Sequence, residues 1–172
     1  MLEIERKFLV ANDSWKDAAI GSVRIRDGLI ASTNGQKARV RITDSAATVV
    51  LKSAKSGISR YEFEYPIPLS DAQHIMRTMC TAHILDKTRY FVAHAGATWS
   101  VDVYSGLLEG IVIAEIELAR PDQHVDLPSW IGREVTDDPN YRKINLEAQR
   151  LSERRRNPVI GACTPAHALP AG

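Results

Sequence analysis

Cysteine is nearly absent from the 172 residues. Cys80 and Cys163 stand too far apart to read as a disulfide framework or a zinc site. They read as two unrelated thiols in a reducing compartment, which sets the expectation of a cytoplasmic protein. The five histidines, His74, His83, His94, His124 and His167, lack ligand spacing. No apolar run approaches the roughly 20 residues of a membrane span, and the acidic, alternating N-terminus does not resemble a leader peptide. A charge excess of one sign is missing too. The 22 basic and 21 acidic side chains leave a net charge of +1, so no membrane surface or nucleic acid is expected as a partner. No glycine-rich phosphate loop, His-Glu-x-x-His or Gly-x-Ser-x-Gly motif occurs; Lys52-Ser53-Ala54-Lys55-Ser56-Gly57 lacks the glycine geometry of a P-loop.

What is present is alternation. Strand-like segments run over about 2–10, 23–31, 36–44, 47–54, 59–66, 84–94, 97–105 and 111–119. Turns are signalled at Asn34-Gly35, Ser56-Gly57, Ala95-Gly96 and Glu109-Gly110, which argues for an antiparallel meander. Ser70-Asp71-Ala72-Gln73 has the form of a helix-capping box, followed by Ala72, Ile75, Met76 and Met79 as one apolar stripe. A second helix is expected from near Pro139, with Tyr141, Ile144, Ala148 and Leu151 on one side. A weak helical signal lies at Trp15–Ala19. Residues 1–153 form one expected domain, and 154–172, opening on Arg154-Arg155-Arg156 and rich in proline and small residues, an expected flexible tail.

In a strand, residues two apart share a face. Glu3, Glu5 and Lys7 therefore share one, as do Arg39 and Arg41, then Arg60, Glu62 and Glu64, then Lys87 and Arg89, then Glu115 and Glu117. Lys52 and Asp102 occupy equivalent places on their own strands, and the intervening positions are largely apolar. Tyr61, Phe63 and Tyr65 are accordingly expected in the core, and Trp99 and Trp130 in core or interface positions. Three readings suit the charged faces: an exposed sheet surface, a structural ion-pair network, or a closed sheet whose polar lumen handles a charged ligand. Like charges at alternate positions repel unless a counter-charge, metal or ligand compensates them. A polyanionic triphosphate suits the basic groups, and Mg²⁺ or Mn²⁺ suits Glu3, Glu5, Glu115 and Glu117.

The opening Glu3-Ile4-Glu5-Arg6-Lys7 resembles the E-x-E-x-K signature of the CYTH family, the triphosphate tunnel metalloenzymes. The resemblance continues through Arg39-Val40-Arg41, Lys52, Ser59–Glu64, Lys87-Thr88-Arg89-Tyr90, Asp102, Ala114–Leu118 and Trp130–Thr136, covering about residues 1–151. It implies a mainly antiparallel β fold with flanking helices, closed as an eight-stranded barrel around a charged lumen. It further implies metal-dependent hydrolysis of inorganic triphosphate. Relatives of other activity make a thiamine triphosphatase, a class IV adenylate cyclase acting on a nucleoside triphosphate, or a non-catalytic polyphosphate- or nucleotide-binding module the alternatives.

By the same resemblance, Glu3, Glu5, Glu115 and Glu117 belong to the metal side, joined by Glu62, Glu64 and Asp102. Arg39, Arg41, Lys52, Lys87 and Arg89 bind the phosphate chain, and Arg60 serves either side. Lys7, Lys52 and Lys87 form the catalytic set, with Lys87 as candidate general base. Asp27-Gly28-Leu29 departs from the family pattern by lacking a tyrosine after the glycine, and Asn140–Leu146 departs from its usual helix start. The apolar outward faces allow a homodimer.

Overall fold

The computed structural model describes residues 1–80 and 84–156. Cys163, His83, His167 and most of the expected tail lie outside these residues. Among the described residues nine strands form: β1 (Leu2–Val10), β2 (Ala19–Thr33), β3 (Gln36–Thr43), β4 (Ala47–Lys52), β5 (Ser59–Pro66), β6 (Leu85–His94), β7 (Ala97–Ser105), β8 (Val112–Glu117) and β9 (Ile131–Glu134). Two helices accompany them, α1 (Leu69–Thr78) and α2 (Lys143–Arg156), with 3-10 turns at Asp13–Ala18, Gly106–Leu108 and Pro139–Tyr141.

The sheet order is β5-β4-β3-β2-β6-β7-β8-β1-β9, and β1 also pairs with β5. Eight strands thus close into the expected antiparallel barrel. The chain does not run as one meander, however. Meanders β2–β5 and β6–β8 meet side by side at β2 and β6, because the connection carrying α1 separates β5 from β6. β1 closes the ring by pairing with β8 through Glu5–Leu9 and with β5 through Leu2–Ile4.

β9, which escaped the sequence reading, follows β5 on the same edge of β1, pairing at Phe8 and Val10. Between the two, Ile58 O accepts from Glu5 N, Val135 N donates to Lys7 O, and Thr136 Oγ1 accepts from Lys7 N. The middle of this edge of β1, Glu5–Lys7, is therefore completed by irregular backbone. At only four residues, β9 carries too short an alternation to stand out in sequence.

Asn34 and Gly35 turn β2 into β3 with φ of 48° and 79°, the left-handed pair that tight hairpins require. Gly28 is needed for a different reason. A β-carbon there would collide with the Cys80 sulfur, so glycine lets the chain after α1 lie directly on β2.

Three apolar clusters hold the barrel. Outside β1 and β6–β8, Phe8, Trp99, Val101, Ile116 and Trp130 pack with Trp15 from the first 3-10 turn. Helix α1 lays Ala72 and Met76 on Val40 and Ala47. The third cluster joins Leu85, Tyr104 and Ile113 to Leu108 and to Leu146 of α2, with Leu9 against its edge. By alternation Leu9, Leu85, Tyr104 and Ile113 share faces with Lys7, Lys87, Asp102 and Glu115, so they point inward. The inner surface is thus not charged throughout: one end has an apolar floor, and α2 seals it.

Several local expectations need correction. Ser70 does not cap α1. Pro68 holds that place without a side-chain hydrogen bond, while Ser70 Oγ donates to Asp71. The proline's fixed φ already sets the entry into the helix, leaving Ser70 inside it. Met79 falls off the buried stripe and is exposed. In α2 the buried residues are Leu146 and Glu147, whereas Ile144 and Ala148 are exposed. The cause is a later start: a 3-10 turn occupies Pro139–Tyr141 and resets the phase of the helix that follows. Arg154–Arg156 belong to this helix. Trp99 and Trp130 are buried as expected, but Tyr61, Phe63 and Tyr65 are 58%, 46% and 53% exposed because α1 covers β3 and β4 instead of β5.

Candidate active site

A cavity of about 1160 Å³ occupies the barrel. It is lined by Glu3, Glu5 and Lys7 of β1, Arg39 and Arg41 of β3, Lys52 of β4, Arg60, Glu62 and Glu64 of β5, Arg89 of β6, and Glu115 and Glu117 of β8. Strand pairing accounts for the convergence. Lys52 stands directly across from Glu62, Glu3 from Arg60, Lys7 from Glu115, and Arg89 from Asp102. Opposite charges in facing positions attract, so charge pairing and hydrophobic alternation select the same register.

The charges form linked sets. Around the β1–β5 seam, Glu3 accepts from Lys52 at 3.2 Å and from Arg60, while Lys52 also pairs with Glu62. Arg60 Nη2 donates to Glu5 at 2.8 Å, with Lys7 and Lys55 at 3.4 and 3.5 Å from the same carboxylate. Arg41 donates to Glu64 at 2.7 Å. On the opposite wall Arg89 grips Asp102 with two hydrogen bonds of 2.7 and 2.8 Å and donates to Glu115 at 2.6 Å. Lys7 completes this side by pairing with Glu115.

Lys87 and Asp102 stand behind the lining. Asp102 is fully buried, Lys87 is ion-paired to it, and Lys87 Nζ lies 5.7 Å from the centre of the Tyr104 ring. This places Lys87 where the charged lumen gives way to the apolar floor. Burial lowers its pKa, and the Arg89 charge adds to that against the pull of Asp102. Lys7 behaves oppositely: burial works against its charge, but Glu115 and Glu5 outweigh that and raise the pKa, fixing it as a cation. Glu115 is also buried, yet Lys7, Arg89 and Lys87 hold its pKa well below the ordinary value.

Glu117 is the exception among these carboxylates. No basic group among the described residues forms an ion pair with it. Burial raises its pKa, and the negative charges of Glu3, Glu5 and Glu62 raise it further, Arg89 acting against them. The described residues contain no group of three or more Asp, Glu, His or Cys side chains already arranged around a metal position. Glu3, Glu5 and Glu62 are instead engaged by lysine and arginine. In kind the donor set suits a hard divalent cation, being all carboxylate oxygen, and Glu117 faces the others without a compensating charge.

Four further residues belong to the site. Asp27, 1% exposed, pairs with Arg39 and lies 3.8 Å from Arg41 and 4.0 Å from Lys143. Burial pushes its carboxyl up, but Lys143, Arg39 and Arg41 outweigh this and bring its pKa to about 2. Lys143, at the start of α2, lines the cavity, and burial with the nearby Lys87 charge holds its pKa well below the lysine range. Lys37 and Lys55 line the cavity as well. Lys37 was legible, since it shares the alternation of Arg39 and Arg41. Asp27 was hidden between Ile25 and Leu29, inward-facing apolar neighbours, and Lys143 and Lys55 lie off the strands.

Residues 1–150 match the CYTH domain. The chain belongs to this family. It is 42% identical over 144 residues to an inorganic triphosphatase of Acetivibrio thermocellus, covering 84% of this chain and 92% of that one. It is 32% identical over 150 residues to an inorganic triphosphatase of Nitrosomonas europaea, covering 85% and 97%. The crystal structure of the inorganic triphosphatase NE1496 superposes with a TM-score of 0.62 at 30% identity, covering 84% of this CYTH chain and 97% of that one. The resemblance read from Glu3-Ile4-Glu5-Arg6-Lys7 and the later motifs is therefore borne out at the level of family and barrel. Among the described residues no helix is long and apolar enough to cross a membrane.

Proposed function

We propose that this protein hydrolyses inorganic triphosphate to phosphate and pyrophosphate with the help of Mg²⁺ or Mn²⁺, as a cytoplasmic enzyme. The observation that carries the reading is a lumen in which Arg39, Arg41, Lys52, Arg60 and Arg89 converge beside carboxylates that include the uncompensated Glu117. Its support is the naming of two relatives of 42% and 32% identity as inorganic triphosphatases.

The guanidiniums and ammoniums have two partners to choose between. Without substrate they hold internal carboxylates. A triphosphate, with more charge and more acceptor oxygens, competes for the same donors, and arginine offers it paired N–H groups. Arg39 and Arg41 approach the chain from β3, Lys52 and Arg60 from β4 and β5, and Arg89 from β6. Arg39 and Arg41 both line the cavity, and their buried Nη2 and Nε respectively have no hydrogen-bond acceptor among the described residues. Carboxylates released from these cations, Glu3, Glu5 and Glu62, together with Glu117, would hold the divalent cation, with Glu64 and Glu115 at the margin. When bound, that cation supplies charge neutralisation and polarisation of the phosphoryl group.

Water attacks the terminal phosphorus, the bridging P–O bond breaks, pyrophosphate leaves with the bridging oxygen and the bond's electron pair, and the water's proton passes to the phosphate products or to solvent. Lys7, fixed as a cation between Glu115 and Glu5, stabilises charge on the transferring group, and Lys52 does the same from the facing wall. Lys87 carries the lowered pKa that a base requires, but its Nζ is 3% exposed and held on Asp102. We therefore assign Lys87 and Asp102 the positioning of Arg89. The outer strip of Leu2, Tyr61 and Phe63 is the surface through which a homodimer would form.

The test is product analysis. Purified protein is incubated with tripolyphosphate, ATP or thiamine triphosphate and either Mg²⁺ or Mn²⁺. Equimolar phosphate and pyrophosphate from tripolyphosphate, faster than turnover of the organic substrates, is expected. Cyclic AMP from ATP without phosphate release, or binding without turnover, would overturn the reading.

A further inference from the structure

At the mouth of the cavity remote from the apolar floor, the β2–β3 turn meets the β4–β5 connection. The position of a β-carbon on Gly35 would come within 3.1 Å of Ala54 Cβ. Ser32, Gly35, Ala54, Lys55 and Gly57 line the cavity here, and Lys37 points in among them from β3. Lys37 stands in register with Lys52 on one side and Ser32 on the other.

Two lysines facing each other across a strand pair repel. The lumen resolves this for Lys52, which holds Glu3 and Glu62. Nothing comparable serves Lys37. Among the described residues it forms no ion pair, whereas Lys7, Arg39, Arg41, Lys52, Lys55, Arg60 and Arg89 each do. The charged groups that act most strongly on it are Arg39 on its own strand, Arg60 from β5, Lys7 from β1 and Lys52 from β4, all positive. A half-buried ammonium surrounded by cations and facing a cavity is short of one thing, an external anion.

We propose that Lys37 is a substrate-binding residue that takes the outermost phosphate of the chain at the mouth of the barrel. The proposal rests on the triphosphatase reading and adds a contact that the family motifs do not assign. Its physical consequence is a proton linkage. Burial and the neighbouring cations bring the Lys37 pKa down to about 8, so the free enzyme holds Lys37 partly neutral in mild alkali. A bound phosphate favours the charged form, so substrate binding is coupled to proton uptake. Affinity for triphosphate should therefore weaken as pH rises through about 8.

The experiment compares wild type, Lys37→Met and Lys37→Arg in tripolyphosphate hydrolysis between pH 7 and 9.5, reading KM and kcat separately. Loss of one charge-assisted contact to phosphate is expected to raise KM about tenfold or more in Lys37→Met at pH 7, with a much smaller change in kcat. Wild-type KM should climb above pH 8 relative to Lys37→Arg, whose guanidinium stays charged throughout. Lys37→Met should melt no lower than wild type, because it removes repulsion, so a merely structural role would not produce this pattern. Wild-type turnover with an unchanged KM in Lys37→Met, or parallel pH profiles for wild type and Lys37→Arg, would overturn the inference alone. A wild type inert toward tripolyphosphate would remove the underlying reading, and the inference with it.

Discussion

Asp27 shows how one buried charge organises its surroundings. It lies beneath the cavity and ties both β3 arginines to the first residue of α2. Its folded pKa of about 2 lies below the ordinary value of 3.8. A carboxyl with a depressed folded pKa contributes stability that is present above its unfolded pKa and lost as pH falls through the folded one. That shift corresponds to about 2 kcal/mol, and removing the charge also strands Arg39 in the interior. Asp27→Asn should therefore melt well below wild type at pH 7, and the gap should narrow between about pH 4 and 2 in thermal scans at low salt. A gap independent of pH would argue against the ion-pair account. Glu117 behaves in the opposite sense. Its raised pKa means that its charge costs stability when the lumen holds no cation, so Glu117→Gln should fold at least as stably as wild type. Its metal-dependent turnover should fall by about 10–100-fold, read by titrating Mg²⁺ or Mn²⁺.

At the scale of elements, the chain announced its strands clearly and its closure poorly. The charged parity of Glu3, Glu5 and Lys7 was legible because a period of two survives any tertiary detail. Facing carboxylates and cations in β1, β5 and β8 then left few registers open. The floor formed by Leu9, Leu85, Tyr104 and Ile113 was not legible, since alternation alone does not say where an inward face stops meeting water. That boundary is set by α2, whose phase depends on the 3-10 turn at Pro139–Tyr141. Lys143 was missed for a related reason, since it reaches Asp27 only from α2. Leu146, 6% exposed on the floor, is the point to test. Leu146→Ala should cost about 2–5 kcal/mol in urea unfolding. If α2 were only a peripheral appendage, the loss would be within about 0.5 kcal/mol, as for a surface substitution.

Over the whole molecule, near-neutral net charge conceals a strongly divided interior. The barrel gathers cations and carboxylates that would repel as separate faces, and there they neutralise one another. On the proposed function the same groups would be oriented before substrate arrives, so that binding would exchange partners instead of ordering loose side chains. Of the three readings that alternation alone allowed, the exposed sheet surface is removed by closure. The ion-pair network is the one formed, and the ligand-handling lumen proposed above draws on the same residues. The most direct test of that dual role is to assay wild type and Glu117→Gln side by side on tripolyphosphate with Mg²⁺ or Mn²⁺, with thermal unfolding of both. Rapid release of equimolar phosphate and pyrophosphate by wild type, and at least about tenfold slower release by an equally stable Glu117→Gln, is the predicted result. Equal rates in the two proteins, or a wild type that leaves tripolyphosphate intact, would contradict it.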